Sequence, residues 1–251
     1  MKYLKLFENH QTEAEVAEIC RKYNITDWKL NSDGLIDVDG DVNLYNCSLT
    51  ELPLKFRHVT DYFHCSENQL TSLDGAPHTV GYAFYCYANL LTSLVGGPKK
   101  CLSYNCASNK LENFVGAPER ISGFFHGNIN KLTSLKGSPK YVGDDFYIER
   151  LNNFDKNKAL LFEDIPTHVG GKFHTTNSLL KLIIPDKKLN GDDMELLDYY
   201  DFVRREGVVI DRLIQFLEDS QSSVKKPDYM SESFWRQKII KSISGEYIII
   251  D

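Results

Sequence analysis

Side chains able to do chemistry recur along this chain at a nearly constant step. Asn43, His64, Tyr85, Asn105, His126 and Tyr147 stand 20 or 21 residues apart, and His174 continues the series after a longer gap. A second series reads Tyr45, Ser66, Tyr87, Ala107, Asn128, Glu149 and Thr176, and a third Asp41, Tyr62, Ala83, Ser103, Phe124, Asp145 and Lys172. Histidine in such a series invites a metal reading. If each step is one strand of a stack, strands lie about 4.8 Å apart, so His64 and His126 are separated by about 14 Å. A zinc ligand sits about 2 Å from its ion, so these rings do not share one. The sequence therefore predicts no metal and no cofactor. Cys65, Cys86 and Cys106 form a further series whose spacing permits thiolate clustering or, by distance alone, a bridge. Leu44 and Gly127 take the equivalent places in the flanking units, so the cysteines read as small core residues.

The run Asp37-Val38-Asp39-Gly40-Asp41 has carboxylates at calcium-loop spacing, but its glycine is fourth where that loop needs it sixth, and Ser48 stands where it needs Glu. It reads as a turn. The chain has no GxSxG, Walker loop, HExxH or GxGxxG, so no enzyme is predicted. Glu149 and Arg150, beside an irregular stretch, come nearest to an unassigned site. What remains is a surface of tyrosine, histidine and asparagine. Amphipathic aromatics bury large area at small entropic cost and make interface hot spots, although strands also favour them as filler.

The elements that must position these side chains are repeats. Leu49, Leu70, Leu91, Leu111 and Leu132 each open a similar segment, clearest as Leu70-Thr71-Ser72-Leu73-Asp74-Gly75-Ala76-Pro77 and Leu132-Thr133-Ser134-Leu135-Lys136-Gly137-Ser138-Pro139. Ahead of them come Phe63, Cys65 and Asn68, then Phe84, Cys86 and Asn89, then Tyr104, Cys106 and Asn109, then Phe125, Gly127 and Asn130. Apolar residues two apart mark one face of a short strand, and their alternates face the other way. The asparagines fall where the chain leaves the strand, and stacking aligns them into a ladder with Cys47 in the first unit. The Gly-x-Pro that follows bars a helix, so the return path is extended.

Units of this length and pattern resemble the short bacterial type of leucine-rich repeat, and more closely the degenerate repeat proteins encoded by tailed bacteriophages. The resemblance covers Asp41 to about Pro185 and implies an α/β repeat solenoid: a parallel sheet with a concave face, a non-helical convex side, and helical caps at both ends. After Pro139 the pattern loses register. About two residues are missing before Leu151 and about seven are added around Lys156 to Phe162, by comparison with the regular repeat. The predicted organisation is an N-terminal cap over 1–40, the solenoid over 41–185 and a mainly helical C-terminal cap over 186–251. Thr12 to Glu15 is a capping-box start, Trp28 to Val38 a hairpin, and helices are expected over Asp192 to Arg205, Val209 to Asp219 and Ser231 to Ser242, with a terminal strand Tyr247 to Ile250.

Composition narrows the function. The chain has 251 residues, 42% hydrophobic, with 29 Lys+Arg against 35 Asp+Glu for a net charge of -6. Duplex nucleic acid and anionic membranes reward a basic surplus, which is missing. No apolar run approaches the roughly 18 residues of a membrane span. The expected product is cytoplasmic and monomeric, in a host cell if phage-encoded. Its predicted function is non-catalytic: it binds another protein, a host protein in the phage reading, through Tyr45, His64, Tyr85, Tyr87, Asn105, His126, Asn128, Tyr147, Glu149 and His174. Two alternatives stay open: a phage structural or assembly protein pairing through its caps, and a binder of single-stranded nucleic acid or nucleotide.

Overall fold

The computed structural model describes residues 11–149, 164–176, 180, 199–200, 202–204, 207–220, 224, 226–244, 247 and 249–250. The chain enters through α1 (Glu13–Lys22), started by the expected capping box: Thr12 Oγ1 accepts from the Glu15 N–H at 3.3 Å, and the Glu15 carboxylate accepts from the Thr12 N–H at 2.7 Å. Val16 and Cys20, one turn apart, are its buried face. The antiparallel hairpin of β1 (Trp28–Leu30) and β2 (Ile36–Val38) follows.

Two rows of short strands then alternate along the chain. They run β3 (Val42–Asn43), β4 (Phe56–Val59), β5 (Phe63–His64), β6 (Thr79–Val80), β7 (Ala83–Tyr85) and β8 (Ser103–Asn105). They continue as β9 (Arg120–Ile121), β10 (Phe125–His126), β11 (Tyr141–Val142), β12 (Phe146–Ile148), β13 (His168–Val169) and β14 (Phe173–Thr175). The order β14-β12-β10-β8-β7-β5-β3 makes a seven-stranded main sheet, parallel throughout. The other row forms β1-β2-β4-β6 and β13-β11-β9, and a bridge between Thr79 and Lys100 extends the first toward the second. This is a parallel-sheet β-solenoid. The return path is extended, as Gly-x-Pro dictates, and it carries its own hydrogen-bonded row, which the sequence reading did not include. One buried residue per unit, as at Val59, Val80, Ile121 and Val142, anchors that row.

Three devices hold the rungs together. The inward file Phe63, Phe84, Tyr104, Phe125, Phe146 and Phe173 stacks ring on ring, with centroids 4.9 to 5.8 Å apart. Burying each ring contributes about 1.5–3 kcal/mol. Beside it lie Cys65, Cys86 and Cys106, fully buried free thiols. Burial pushes the Cys65 pKa up to about 12, so the series is core packing without thiolate.

The asparagine ladder is the second device. Asn89 Nδ2 donates to the carbonyls of Cys65, Cys86 and Tyr87, and its Oδ1 accepts the Leu70 N–H at 2.9 Å. Asn68, Asn109 and Asn130 repeat the pattern, each tying its own rung to the preceding one. Asn68 Oδ1 takes the N–H groups of Cys47 and Leu49 in the first unit. Most of these bonds are buried, so an unpaired partner at such a position costs its full desolvation.

The third device is the corner between the two rows, where each rung crosses close over the last. A Cβ at Gly81 would lie 1.9 Å from the Thr60 carbonyl oxygen, and one at Gly143 2.0 Å from that of Ser122. Only glycine tolerates that approach.

The C-terminal region differs from expectation. The helix predicted to end at Arg205 gives way to β15 (Val203–Arg204), antiparallel to β16 (Gly207–Val209). Phe202, Val203, Val208 and Val209 are strand formers, and they outweigh the helical reading of this stretch. α2 (Ile210–Asp219) and α3 (Glu232–Ile243) fall where helices are predicted, the second capped by Ser231. β17 (Ile249–Ile250) pairs parallel with β16. The region read as mainly helical therefore combines helices with a three-stranded sheet among the described residues. The insert around Lys156 to Phe162, Arg150 and the helix start at Asp192 lie outside them. No described helix is long and apolar enough to cross a membrane.

Candidate functional site on the outward face of the main sheet

Strand pairing places the first chemical series in one file. Asn43 pairs with His64, His64 with Tyr85, Tyr85 with Asn105, Asn105 with His126, His126 with Tyr147 and Tyr147 with His174. Their neighbours Phe63, Cys65, Phe84 and Cys86 point into the core, so this file faces outward.

In the first three rungs the file belongs to a continuous aromatic cluster. Tyr45 lies 4.9 Å from His64, which meets Tyr85 at 5.2 Å and Tyr87 at 5.7 Å. Tyr62 stacks on Tyr85 at 6.1 Å with planes 10° apart, and Tyr82 approaches Tyr62 at 5.0 Å. Tyr45, Tyr62 and Tyr82 remain 44%, 38% and 49% exposed. Beneath them polar atoms are sealed: His64 Nε2 and Ser66 Oγ are buried without a hydrogen-bond partner. Ser66, read from the sequence as an exposed face residue, is fully buried, because the tall Tyr45 and Tyr87 of its own file flank it. Burial lowers the His64 pKa and raises those of Tyr85 and Tyr87; neighbouring tyrosines add to both rises, and Glu67 adds to that of Tyr87.

In the last three rungs the rings are tied down by side-chain bonds. Tyr147 Oη donates to Asp145 at 2.7 Å, His174 Nε2 lies 3.3 Å from the same carboxylate, and the Lys172 N–H donates to its other oxygen at 2.7 Å. Those bonds, the backbone one foremost, lower the Asp145 pKa. The Tyr147 and His174 rings stack at 4.0 Å, and His126 meets the Tyr147 ring edge to face at 4.1 Å. Burial lowers the His126 pKa against the pull of Asp145. An open groove of about 560 Å³ lies here, lined by Phe124, His126, Asp145, Tyr147 and the corner glycines Gly143, Gly170 and Gly171.

Between the halves the face is low: Ser103 and Ala107 flank Asn105, whose Oδ1 bonds its own strand at the Ala107 N–H. Asn128 is likewise used within the scaffold, accepting the Glu149 N–H at 2.8 Å. Of the ten residues predicted to bind, the structure thus gathers Tyr45, His64, Tyr85 and Tyr87 in one cluster and His126, Tyr147 and His174 in another. Asn105 and Asn128 accept backbone N–H groups, Asn105 within its own rung and Asn128 from Glu149 of the next rung. Sequence reasoning left out Tyr62, Phe124 and Asp145, although the alternation that gave the third series places them, and Tyr82, which sits on the corner where alternation gives no guide.

Among the described residues no group of three or more His, Cys, Asp or Glu is arranged to hold a metal. The aspartates of the supposed calcium run serve the scaffold. Asp37 pairs with Arg57, Asp39 accepts from Thr60 Oγ1, and Asp41 accepts from the Tyr62 N–H. The chain matches no protein family, no curated protein and no solved structure.

Proposed function

We propose that this chain is a non-catalytic protein-binding module of the leucine-rich-repeat type, which docks one face of another protein on the outward side of its main sheet. The observation that supports this reading is the aromatic cluster of the first three rungs. Rings that served only as filler would be covered, yet Tyr45, Tyr62 and Tyr82 keep more than a third of their surface in water with no described element over them. Exposed, mutually braced tyrosines lose little entropy on docking and bury large area. In the phage-like reading the partner is a host protein, met in the host cytoplasm, and binding inhibits a host process; that step is analogy from architecture.

The test is capture of the partner from host lysate by the wild-type chain and by Tyr45→Ala/Tyr62→Ala/Tyr82→Ala, with identification of the captured band and measurement of its affinity. Each truncation is expected to weaken binding about 30-fold at a hot-spot loss of about 2 kcal/mol. Thermal stability should change little, because these rings are the exposed members of the cluster. Unaltered capture by the triple variant would refute the docking face.

A further inference from the structure

The repeat region from Asp41 to Arg150 has 10 basic and 10 acidic residues, and the fold distributes them unevenly over its two rows. The three outward series of the main sheet contain no Lys or Arg before Lys172, while Asp41, Asp145 and Glu149 lie in them and Asp61 and Asp144 on the adjoining corner. The second row presents Arg57, Lys99, Lys100, Arg120 and Lys140 along neighbouring rungs, with Arg57 paired to Asp37 and Lys140 to Asp164. Its rings are already in use: the Arg120 guanidinium lies 3.6 Å over Tyr141, whose ring stacks on His168 at 4.4 Å.

The tyrosine cluster has π faces and nearby carboxylates but, among the described residues, no cation over its rings. Asp41 Oδ1 bonds the Tyr62 N–H, and Asp61 stands at the corner, its carbonyl accepting from the Tyr82 N–H. Among the described residues neither Asp41 nor Asp61 forms an ion pair. Aromatic faces carry a negative quadrupole that attracts cations, and a planar guanidinium stacks on them while its fork bonds a carboxylate. From these features we infer that the partner presents a basic surface, and that an arginine of it lies across the Tyr62, Tyr82 and Tyr85 rings with its charge met by Asp41 and Asp61.

This rests on the docking reading and adds the chemistry of what docks. Arginine fits better than lysine because Tyr62 and Tyr85 are nearly parallel and Tyr82 is tilted by 38° to Tyr62, so the rings offer flat faces to a flat group.

The experiment follows carbon-labelled tyrosine ring signals of the full chain while Ac-Gly-Arg-Gly-Arg-Gly-NH2 is added at low salt. A second titration uses the same peptide with citrulline, the neutral isostere, in place of arginine. The Tyr62, Tyr82 and Tyr85 signals should shift with the arginine peptide and respond at least fivefold more weakly to citrulline. Asp41→Asn/Asp61→Asn should weaken the arginine response severalfold while leaving the signal of buried Tyr104 in place.

Equal responses to both peptides, or none to either, overturn the inference. If capture of the partner still fails in the tyrosine triple variant, the docking face then survives without it. Shifts that follow the chain's own concentration in the absence of peptide would identify the occupant as the basic row of a second copy, and would also overturn it.

Discussion

In the first three rungs of the main sheet the outward tyrosines stand in water above unpaired polar atoms, whereas in the last three Tyr147 and His174 are bound to Asp145. The same repeat formula built both. Both halves have an aspartate in the third series that accepts the next rung's N–H, Asp41 from Tyr62 and Asp145 from Lys172, but Asp145 also bonds the outward side chains Tyr147 and His174, whereas Tyr62 stacks on its neighbours. A carboxylate set among rings satisfies the face internally. A tyrosine leaves its bonding capacity open to a partner.

The largest effects should come from the ladder that underlies both halves, and they should not distinguish them. Asn89→Ala and Asn130→Ala each remove the amide that bonds three carbonyls and orphan one buried N–H, of Leu70 and Leu111 respectively. Each should cost about 3 kcal/mol or more in chemical denaturation. A loss confined to one half would mean that the rungs do not share one scaffold.

A smaller effect should separate them. The residue before each ladder asparagine takes the left-handed conformation, with φ of 57° at Glu67, 51° at Ala88, 55° at Ser108 and 55° at Ile129. This conformation costs an ordinary residue roughly 1–2 kcal/mol and is worst for a β-branched one. Ile129→Asn should therefore raise stability by about 1 kcal/mol, and Ala88→Asn by less. Equal gains would show that the strain is not where the backbone places it.

The smallest effect is the pH response. His64 and His126 both have folded pKa values lowered by burial, below the unfolded value of about 6.5. As pH falls below that value the unfolded chain takes up more protons than the folded one, so stability is full above it and declines below it. At His126 the neighbouring His174 adds to the lowering while Asp145 pulls against it. His64→Phe and His126→Phe should each flatten the decline between pH 7 and 5. Asp145 adds stability above the ordinary carboxylate range that is lost as pH falls through its lowered value, and Asp145→Asn should remove that acid limb.

Much of the scaffold can be read from sequence because it is periodic. Phe63, Cys65 and Asn68 recur rung after rung, and strict alternation fixes which side chains enter the core. The outward files follow from the same rule, so Tyr45, His64, Tyr85 and Tyr87 could be grouped without coordinates. What could not be read depends on contacts between units or outside the period. Tyr82 lies on a corner. Asp145 acquires its role from Lys172 and His174, which follow an irregular gap. Ser66 is buried only because its file neighbours are tall. The uneven distribution of charge was hidden as well, since equal totals of acid and base say nothing of which sheet presents them. At Val203 and Arg204 a local hairpin displaced the helix that periodicity alone had favoured.

The claim beneath all of this is that the tyrosines of the early rungs face water. Photo-induced nuclear polarisation of tyrosine rings by a dissolved dye reads that directly, with exposed Tyr199 and Tyr229 as positive controls. Tyr45, Tyr62 and Tyr82 should polarise strongly and Tyr104, buried in the inward file, not at all. Polarisation of Tyr104 with silence at Tyr62 and Tyr82 would mean that the strands face the other way, and the docking surface would be lost with them.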